Sequence, residues 1–205
     1  MSYIDPIKRI LEDLKSEDFL VRCDAIENLA SALGEKASDL IARMLDDRNY
    51  LVRCEAYDAL IEIESFKEID ILLKHLRKER SSMARLHAVA AICEKLDADK
   101  THESVIQSLK ELFEQEKATR VSIAYYALFY KIEKQGKFVD LTLGYLDDAD
   151  YHIRLNVINL LHDVTDENVA HHLLDEYMSR YQTEESRSVK TLLEDEIGYL
   201  ENFNQ

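Results

Sequence analysis

The sequence is poor in the residues that make tight turns. Its 205 residues include only four glycines and one proline, Pro6, which stands close to the N-terminus. Hairpin and Greek-key connections between strands depend on such residues because they need special backbone angles. Their scarcity disfavours a sheet protein and favours an all-α fold.

Basic residues are scarce relative to acidic ones. Lys and Arg total 26 against 41 Asp and Glu, which gives a formal net charge of −15. A chain with this balance repels phosphate backbones and anionic lipid surfaces. We therefore expect no nucleic-acid partner and no membrane partner, and the charge favours a basic protein as the partner.

Long apolar runs and paired cysteines are missing as well. No apolar run approaches the roughly 20 residues that span a bilayer, and the opening MSYIDPIKRI lacks the pattern of a signal peptide. The three cysteines, Cys23, Cys54 and Cys93, are an odd number without metal-ligand spacing. These features predict a cytoplasmic protein whose cysteines are small apolar packing residues.

The sequence does contain an internal repeat. LDDRNYLVR (45–53) and LDDADYHIR (146–154) share the Leu-Asp-Asp start, the aromatic residue and the final arginine, and LKSEDFLVR (14–22) follows the same pattern. Each turn opens a helix in which a first register residue is followed four positions later by a large aliphatic one. These register pairs recur every 31 to 36 residues, which is a repeat period: Ala25/Leu29, Ala56/Leu60, Ala88/Ile92, Ala124/Leu128, Val157/Leu161 and Leu193/Ile197.

Shorter amphipathic segments lie between these helices and predict the second helix of each hairpin. They span residues 39–45, 68–76, 103–113, 138–146 and 169–178. We therefore predict one domain over residues 1–205, with a capping helix in 1–16. The repeats are expected near 17–46, 47–79, 80–116, 117–147, 148–182 and, as a partial cap, 183–205.

An acidic turn, then Val-Arg, then Ala and Leu in register resembles the HEAT repeat family, especially its short bacterial members. The resemblance implies an all-α, armadillo-type fold: a right-handed α-solenoid of about six HEAT-like helical-hairpin repeats. In such repeats the motif arginine pairs with turn carboxylates of a neighbouring unit. That role falls to Arg22, Arg53, Arg85 and Arg154. The fourth repeat has Arg120-Val121 and the sixth has Val189-Lys190, so we expect irregular stacking at both places.

Catalytic and cofactor chemistry is not indicated by the sequence. His171-His172 is the only adjacent histidine pair, and consecutive helical residues point about 100° apart, so they rarely share a metal. No glycine-rich phosphate loop or Ser-His-Asp ordering is present. We predict no enzyme, no cofactor and no metal site. HEAT-like lyases that attach bilins to light-harvesting proteins share the Val-Arg-x-x-Ala pattern and form a less favoured alternative.

Two tyrosines break the columns of the aligned repeats. Tyr126 and Tyr130 lie four residues apart, where other repeats carry Glu27 and Asp58 or Ser31, Glu62 and Glu94. Those columns are mostly polar, so we expect both tyrosines to face solvent. They either anchor a protein partner or cover an irregular junction beside the fourth repeat.

Acidic residues of the predicted second helices form the other candidate surface. Second helices line the concave face in HEAT arrays, and solenoids bind through extended concave surfaces. The candidates are Glu103, Glu111, Glu114, Asp140, Asp175 and Glu176. The sequence thus predicts a non-enzymatic protein-binding module. One form is an acidic inhibitor or immunity protein that neutralises a basic toxin such as a nuclease, and the alternative is a structural adaptor in a complex.

Overall fold

The chain folds into two stacks of α-helices. The computed structural model describes residues 6–97, 100 and 102–203, and all regular structure within these ranges is helical. The packing divides the chain into a first unit, Met1–Glu116, and a second unit, Lys117–Gln205. Residues 1–5 of the predicted capping segment lie outside the described residues.

The first unit is built from a leading helix and three helical hairpins. A 3₁₀ turn, Gly34–Ala37, joins the helices of the first hairpin. The helices are α1 (Pro6–Asp13), α2 (Phe19–Leu33), α3 (Ser38–Met44), α4 (Tyr50–Glu62), α5 (Ile69–Lys78), α6 (Ser82–Lys95) and α7 (Glu103–Glu114). Helices α2, α4 and α6 pack side by side in one layer, and α3 and α5 pack against that layer.

The second unit contains two hairpins and a final helix. Its helices are α8 (Thr119–Glu133), α9 (Lys137–Leu143), α10 (Tyr151–Val164), α11 (Ala170–Thr183) and α12 (Arg187–Phe203). A 3₁₀ turn, Gly144–Asp147, follows α9. Helix α10 packs between α8 and α12, so the first helices of successive hairpins again form one layer.

The acidic turn of the repeat caps the helix that follows it. Asp18 accepts a hydrogen bond from the Leu20 N–H at 3.0 Å, and Asn49 accepts one from the Leu51 N–H at 2.9 Å. Asp150 caps α10 in the same way through the His152 N–H. Each side chain satisfies an amide that the first turn of the helix leaves unpaired, which fixes where the helix begins.

The register residues form the core of each unit. Ala25, Ala56 and Ala88 are at most 2% exposed, and Leu29 and Leu60 are fully buried. An alanine at the helix crossing allows the neighbouring backbone to approach, while the aliphatic residue one turn later fills the space between layers. Burying one such leucine contributes about 1.5–3 kcal/mol.

The motif arginines connect successive repeats. Arg53 donates two hydrogen bonds to the carboxylate of Glu79, each 2.6 Å long, and a third to the Asp47 carbonyl. Glu79 in turn accepts the Ser81 N–H at the start of α6. The other three arginines make the same bidentate pairs with the next repeat, Arg22 with Asp47, Arg85 with Glu116 and Arg154 with Glu184. The predicted pairing of the four motif arginines is therefore confirmed.

The fourth repeat interrupts this arrangement. The inverted order places Val121 at the arginine position, where it is buried. Arg120 lies one residue earlier on the helix, stays part-exposed and makes a single-nitrogen contact of 3.4 Å with Asp150. Asp148, which holds the position of the paired carboxylates, still accepts the Asp150 N–H at 2.8 Å. The expected irregularity of the fourth repeat is thus the loss of one bidentate ion pair.

Candidate protein-binding surfaces

The two tyrosines singled out by the sequence do not form an exposed pair. Tyr130 is only 1% exposed, and its hydroxyl donates a 2.8 Å hydrogen bond to Oδ1 of Asp166 in the loop between α10 and α11. Tyr126 is half-buried, and burial together with Tyr145 raises the pKa of its phenol. The prediction that Tyr130 faces solvent is wrong, because the loop of the following repeat folds over it.

Asp166 is the centre of a small polar cluster above the ring of Tyr130. Lys134 Nζ lies 2.8 Å from Oδ2 of Asp166 and 5.2 Å from the centre of the Tyr130 ring. Burial opposes ionisation of Asp166, but the hydrogen bonds from Lys134 and Tyr130 outweigh it and hold the pKa of that carboxyl below its ordinary value. Tyr130 therefore packs one repeat against the next, in agreement with the packing interpretation of this residue.

The acidic residues predicted on the second helices are exposed, and they are divided between the two units. Glu103, Glu111 and Glu114 share the exposed side of α7 in the first unit. In the second unit, Asp140 on α9 lies 3.0 Å from His172, and Asp175 on α11 lies 4.0 Å from His171. Glu176 on α11 is exposed. The neighbouring second helix α5 exposes Lys74, Arg77 and Lys78, so this layer of the first unit carries both signs of charge.

A more uniform surface lies on the other layer of the first unit. The outer sides of α2, α4 and α6 carry carboxylates in successive repeats, which we call the acidic face: Asp24, Glu27, Glu55, Asp58, Glu62 and Glu94. Helix α6 adds His87, whose Nδ1 lies 2.7 Å from Oδ1 of Asp58. Within the described ranges, no Lys or Arg side chain pairs with Asp24, Glu27, Glu55 or Glu62.

The basic residues of these three helices are already engaged elsewhere. Arg22, Arg53 and Arg85 are held in the bidentate pairs with turn carboxylates. Lys95, the remaining basic residue of the layer, is buried and donates to the carbonyls of Ile61 and Ile63 at 2.5 and 2.9 Å. The acidic face therefore keeps a net negative charge that its own layer does not neutralise.

The carboxylates of the acidic face repel one another. Burial raises the pKa of Glu55, and the nearby carboxylates of Asp58 and Glu27 raise it further. A groove of about 420 Å³ lies among Glu27, Glu55, Asp58 and Glu62, between α2 and α4. A cationic group placed here would relieve that repulsion, so the arrangement favours binding of positive charge.

Sequence reasoning missed the acidic face although its signal was present. In the alignment of the repeats, the columns that contain Glu27, Asp58 and Glu62 serve only as the polar background against which Tyr126 and Tyr130 differ. A column that stays acidic through consecutive repeats marks a continuous charged stripe, because repeats place equivalent residues side by side. What the sequence could not show is that the arginines of the same helices are engaged in ion pairs.

The described part of the chain shows neither a metal-site cluster nor a membrane-spanning helix. No cluster of three or more His, Cys, Asp or Glu side chains there has the arrangement of a metal site. None of the described helices combines the length and the apolar character that crossing a membrane requires.

Comparison with known proteins confirms the resemblance. Residues 7–93 match the family model of HEAT repeats. This segment, from α1 into α6, is therefore similar to HEAT repeats, a type of module that commonly acts as a protein-interaction scaffold. No curated protein matches the sequence.

A solved structure extends the similarity to nearly the whole chain. It is the complex of CpcE and CpcF of phycocyanin lyase from Nostoc sp. PCC7120, with a TM-score of 0.54 and 14% sequence identity. The match covers 97% of this chain and 96% of that chain. At this identity the likeness shows the fold, and it confirms the predicted α-solenoid of helical hairpins.

Proposed function

We propose that this protein is a non-catalytic protein-binding module whose partner is basic. The observation that carries the proposal is the acidic face, on which four carboxylates form no salt bridge with Lys or Arg in the described structure. Opposite charges on two surfaces accelerate encounter and select against wrong partners. A cytoplasmic location is part of the same proposal.

One form of the proposal is an inhibitor or immunity protein that covers a cationic toxin such as a nuclease. The net charge of −15 suits that task, because a toxin that acts on nucleic acid presents a basic surface. Co-expression with a basic toxin encoded beside this protein should then restore growth. Continued toxicity despite a soluble complex would contradict this form and leave an adaptor role.

Affinity capture at two ionic strengths tests the basic partner. The tagged protein should retain a partner of basic isoelectric point at low salt and release most of it at about 0.5 M salt, because exposed charges are screened over a few ångströms there. A partner that is acidic, or that remains bound at high salt, would contradict the proposal. An unrelated protein of equal net charge serves as the control for non-specific adsorption.

The six acidic residues of the second helices remain a second proposed surface. Glu103, Glu111 and Glu114 stand in a row on α7, and Asp140, Asp175 and Glu176 lie on α9 and α11. The Lys and Arg residues of α5 weaken the negative field beside α7. We therefore rank this surface behind the acidic face.

A second candidate function is that of a subunit in a heteromeric lyase. The observation that favours it is the end-to-end structural match to a chain from the complex of CpcE and CpcF of phycocyanin lyase. In that case the protein should bind a bilin stoichiometrically when mixed with the pigment and its partner chain. Absence of a visible absorption band after gel filtration would exclude this role.

A further inference from the structure

An apolar row borders the acidic face. Leu20, Leu51 and Met83 are 58%, 38% and 40% exposed, and each is the second residue of its helix, α2, α4 or α6. Since these helices pack side by side, the three side chains line up at intervals of about 10 Å. Large apolar side chains exposed at the same position of three repeats mark an interaction surface rather than a solubilising one.

The apolar row and the carboxylates share one side of α2 and of α4, whereas on α6 the residue four after Met83 is His87, which pairs with Asp58. Asp24 follows Leu20 by four residues, Glu55 follows Leu51 by four, and Glu27 comes one further turn along α2. Residues four apart on a helix lie about 6 Å apart along its axis. The first unit therefore presents a row of apolar groups across α2, α4 and α6, beside a band of negative charge that is concentrated on α2 and α4.

We infer that this double band docks an amphipathic basic helix of the partner protein. The inference rests on the proposed function and assigns it a place and a type of ligand. A helix lying across α2, α4 and α6 repeats its contacts every seven residues or so, since about 10 Å of helix contains about seven residues. Its apolar residues meet Leu20, Leu51 and Met83, and its Lys and Arg residues meet the carboxylates.

A helix fits both bands better than an extended segment does. An extended chain points alternate side chains to opposite sides, so only one band could be contacted at a time. A helix presents a stripe wide enough to carry apolar and basic residues next to each other. The charge complementarity selects Lys and Arg as the polar half of that stripe.

The groove between α2 and α4 adds a place for a long basic side chain. Its floor includes Ala30, Ala59 and Ile63, and its rim carries Glu27, Glu55 and Glu62. The methylene stem of a lysine or arginine can pack on the apolar floor while its charged end stays among the carboxylates. The groove thus provides an apolar floor for the stem of such a side chain and carboxylates for its charged end.

A designed peptide tests the inference independently of the natural partner. The probe is a fluorescent helical peptide with leucine at every seventh position or so, lysines between them, and alanine elsewhere. A scrambled peptide of equal composition is its control. Fluorescence anisotropy measures the affinity of each peptide for the full-length protein.

Two triple variants with equal charge changes locate the binding surface. The variant E27Q/E55Q/E62Q should weaken peptide binding by about tenfold or more, whereas E103Q/E111Q/E114Q on α7 should change it by less than about threefold. The variant L20S/L51S/M83S should also weaken binding, and L141S/M178S, which alters exposed residues of the second unit, should not. Melting temperatures that do not fall below that of the unmodified protein check that the variants fold.

Three results would overturn the inference. They are equal weakening by the two charge variants, equal binding of the scrambled peptide, and no effect of L20S/L51S/M83S. If the captured natural partner still dissociates with salt in any of these cases, the proposed function stands and only the docking surface is wrong. If no basic partner is captured at all, the proposed function fails as well.

Discussion

At the scale of single residues, the motif arginine makes the same set of contacts in four repeats. Each guanidinium binds a carboxylate of the next repeat and a carbonyl of the turn before its own helix, as Arg53 does with Glu79 and the Asp47 carbonyl. A planar guanidinium can satisfy both at once, whereas a lysine cannot. The arginine therefore holds a helix start, a turn and the following repeat in one geometry.

Removing one motif arginine should be costly. Arg53→Ala leaves the nearly buried carboxylate of Glu79 without its partner, and breaking such a pair costs roughly 3 to 5 kcal/mol. Chemical denaturation of the two proteins at neutral pH measures the difference. Arg120→Ala is the matched control, because Arg120 makes one long, part-exposed contact. Equal losses in both variants would contradict the special role of the motif position.

The paired carboxylates should make the fold sensitive to acid. Burial alone would raise the pKa of Asp47, Glu79 and Glu184, but the arginine hydrogen bonds, backbone N–H donors and the arginine charge together outweigh it and hold all three pKa values below their ordinary range. Carboxyls of this kind contribute stability that is present above their unfolded pKa, about 4 to 4.5, and lost as pH falls through the folded value. Urea unfolding should show this loss below about pH 4, and a flat profile there would contradict it.

At the scale of helices, Lys95 of α6 binds carbonyl groups at the C-terminal end of α4. Its ammonium group on α6 donates to the carbonyls of Ile61 and Ile63 at the end of α4, and burial lowers the pKa of this lysine. These carbonyls have no partner within their own helix, so a cation at this end is favourable. Lys95 therefore fixes the C-terminal end of α4 to the next repeat.

Replacing Lys95 should loosen that helix end. Lys95→Met keeps the length of the side chain but removes the donor of the Ile61 carbonyl, while the Ile63 carbonyl keeps the Phe66 N–H. This change should lower the free energy of unfolding by about 1 to 2 kcal/mol. Thermal and chemical unfolding measure this change. Lys74→Met, on the exposed side of α5, is the control and should have little effect. A similar loss in both variants would mean that the methionine itself is responsible.

The helices and the register of their core residues could be predicted, because both depend on residues that lie close together in the sequence. Asp18 and Asn49 cap the helices that follow them, and Ala25 and Leu29 give the period of the core. The burial of Tyr130 could not be predicted from its column. Its partner, Asp166, lies 36 residues away in a loop whose position depends on the packing of the next repeat.

At the scale of the whole molecule, the negative charge is unevenly distributed between the two layers of the first unit. The second-helix layer of the first unit mixes both signs, whereas the acidic face has no exposed basic residue of its own helices to offset it. Mutually repelling carboxylates such as Glu27, Glu55 and Asp58 weaken the folded state. A binding surface that needs such charges trades stability for function.

This trade-off predicts that a variant without one of these charges binds more weakly but is no less stable. The raised pKa of Glu55 means that its ionised form is disfavoured in the folded protein, so the cost is present at neutral pH and disappears as pH falls below that pKa. Glu55→Gln should therefore melt at an equal or higher temperature at pH 7, while binding the partner more weakly. Differential scanning calorimetry tests the first part. A clear drop in melting temperature would make Glu55 a structural residue instead.

Carboxylate footprinting of the complex with the captured partner tests the central claim most directly. Labelling of accessible Asp and Glu side chains, read by mass spectrometry, compares the free protein with the bound one. Binding at the acidic face predicts that Glu27, Glu55 and Glu62 lose labelling while Glu103, Glu111 and Glu114 keep theirs. Protection confined to α7, α9 or α11 would contradict it and place the partner on the second helices.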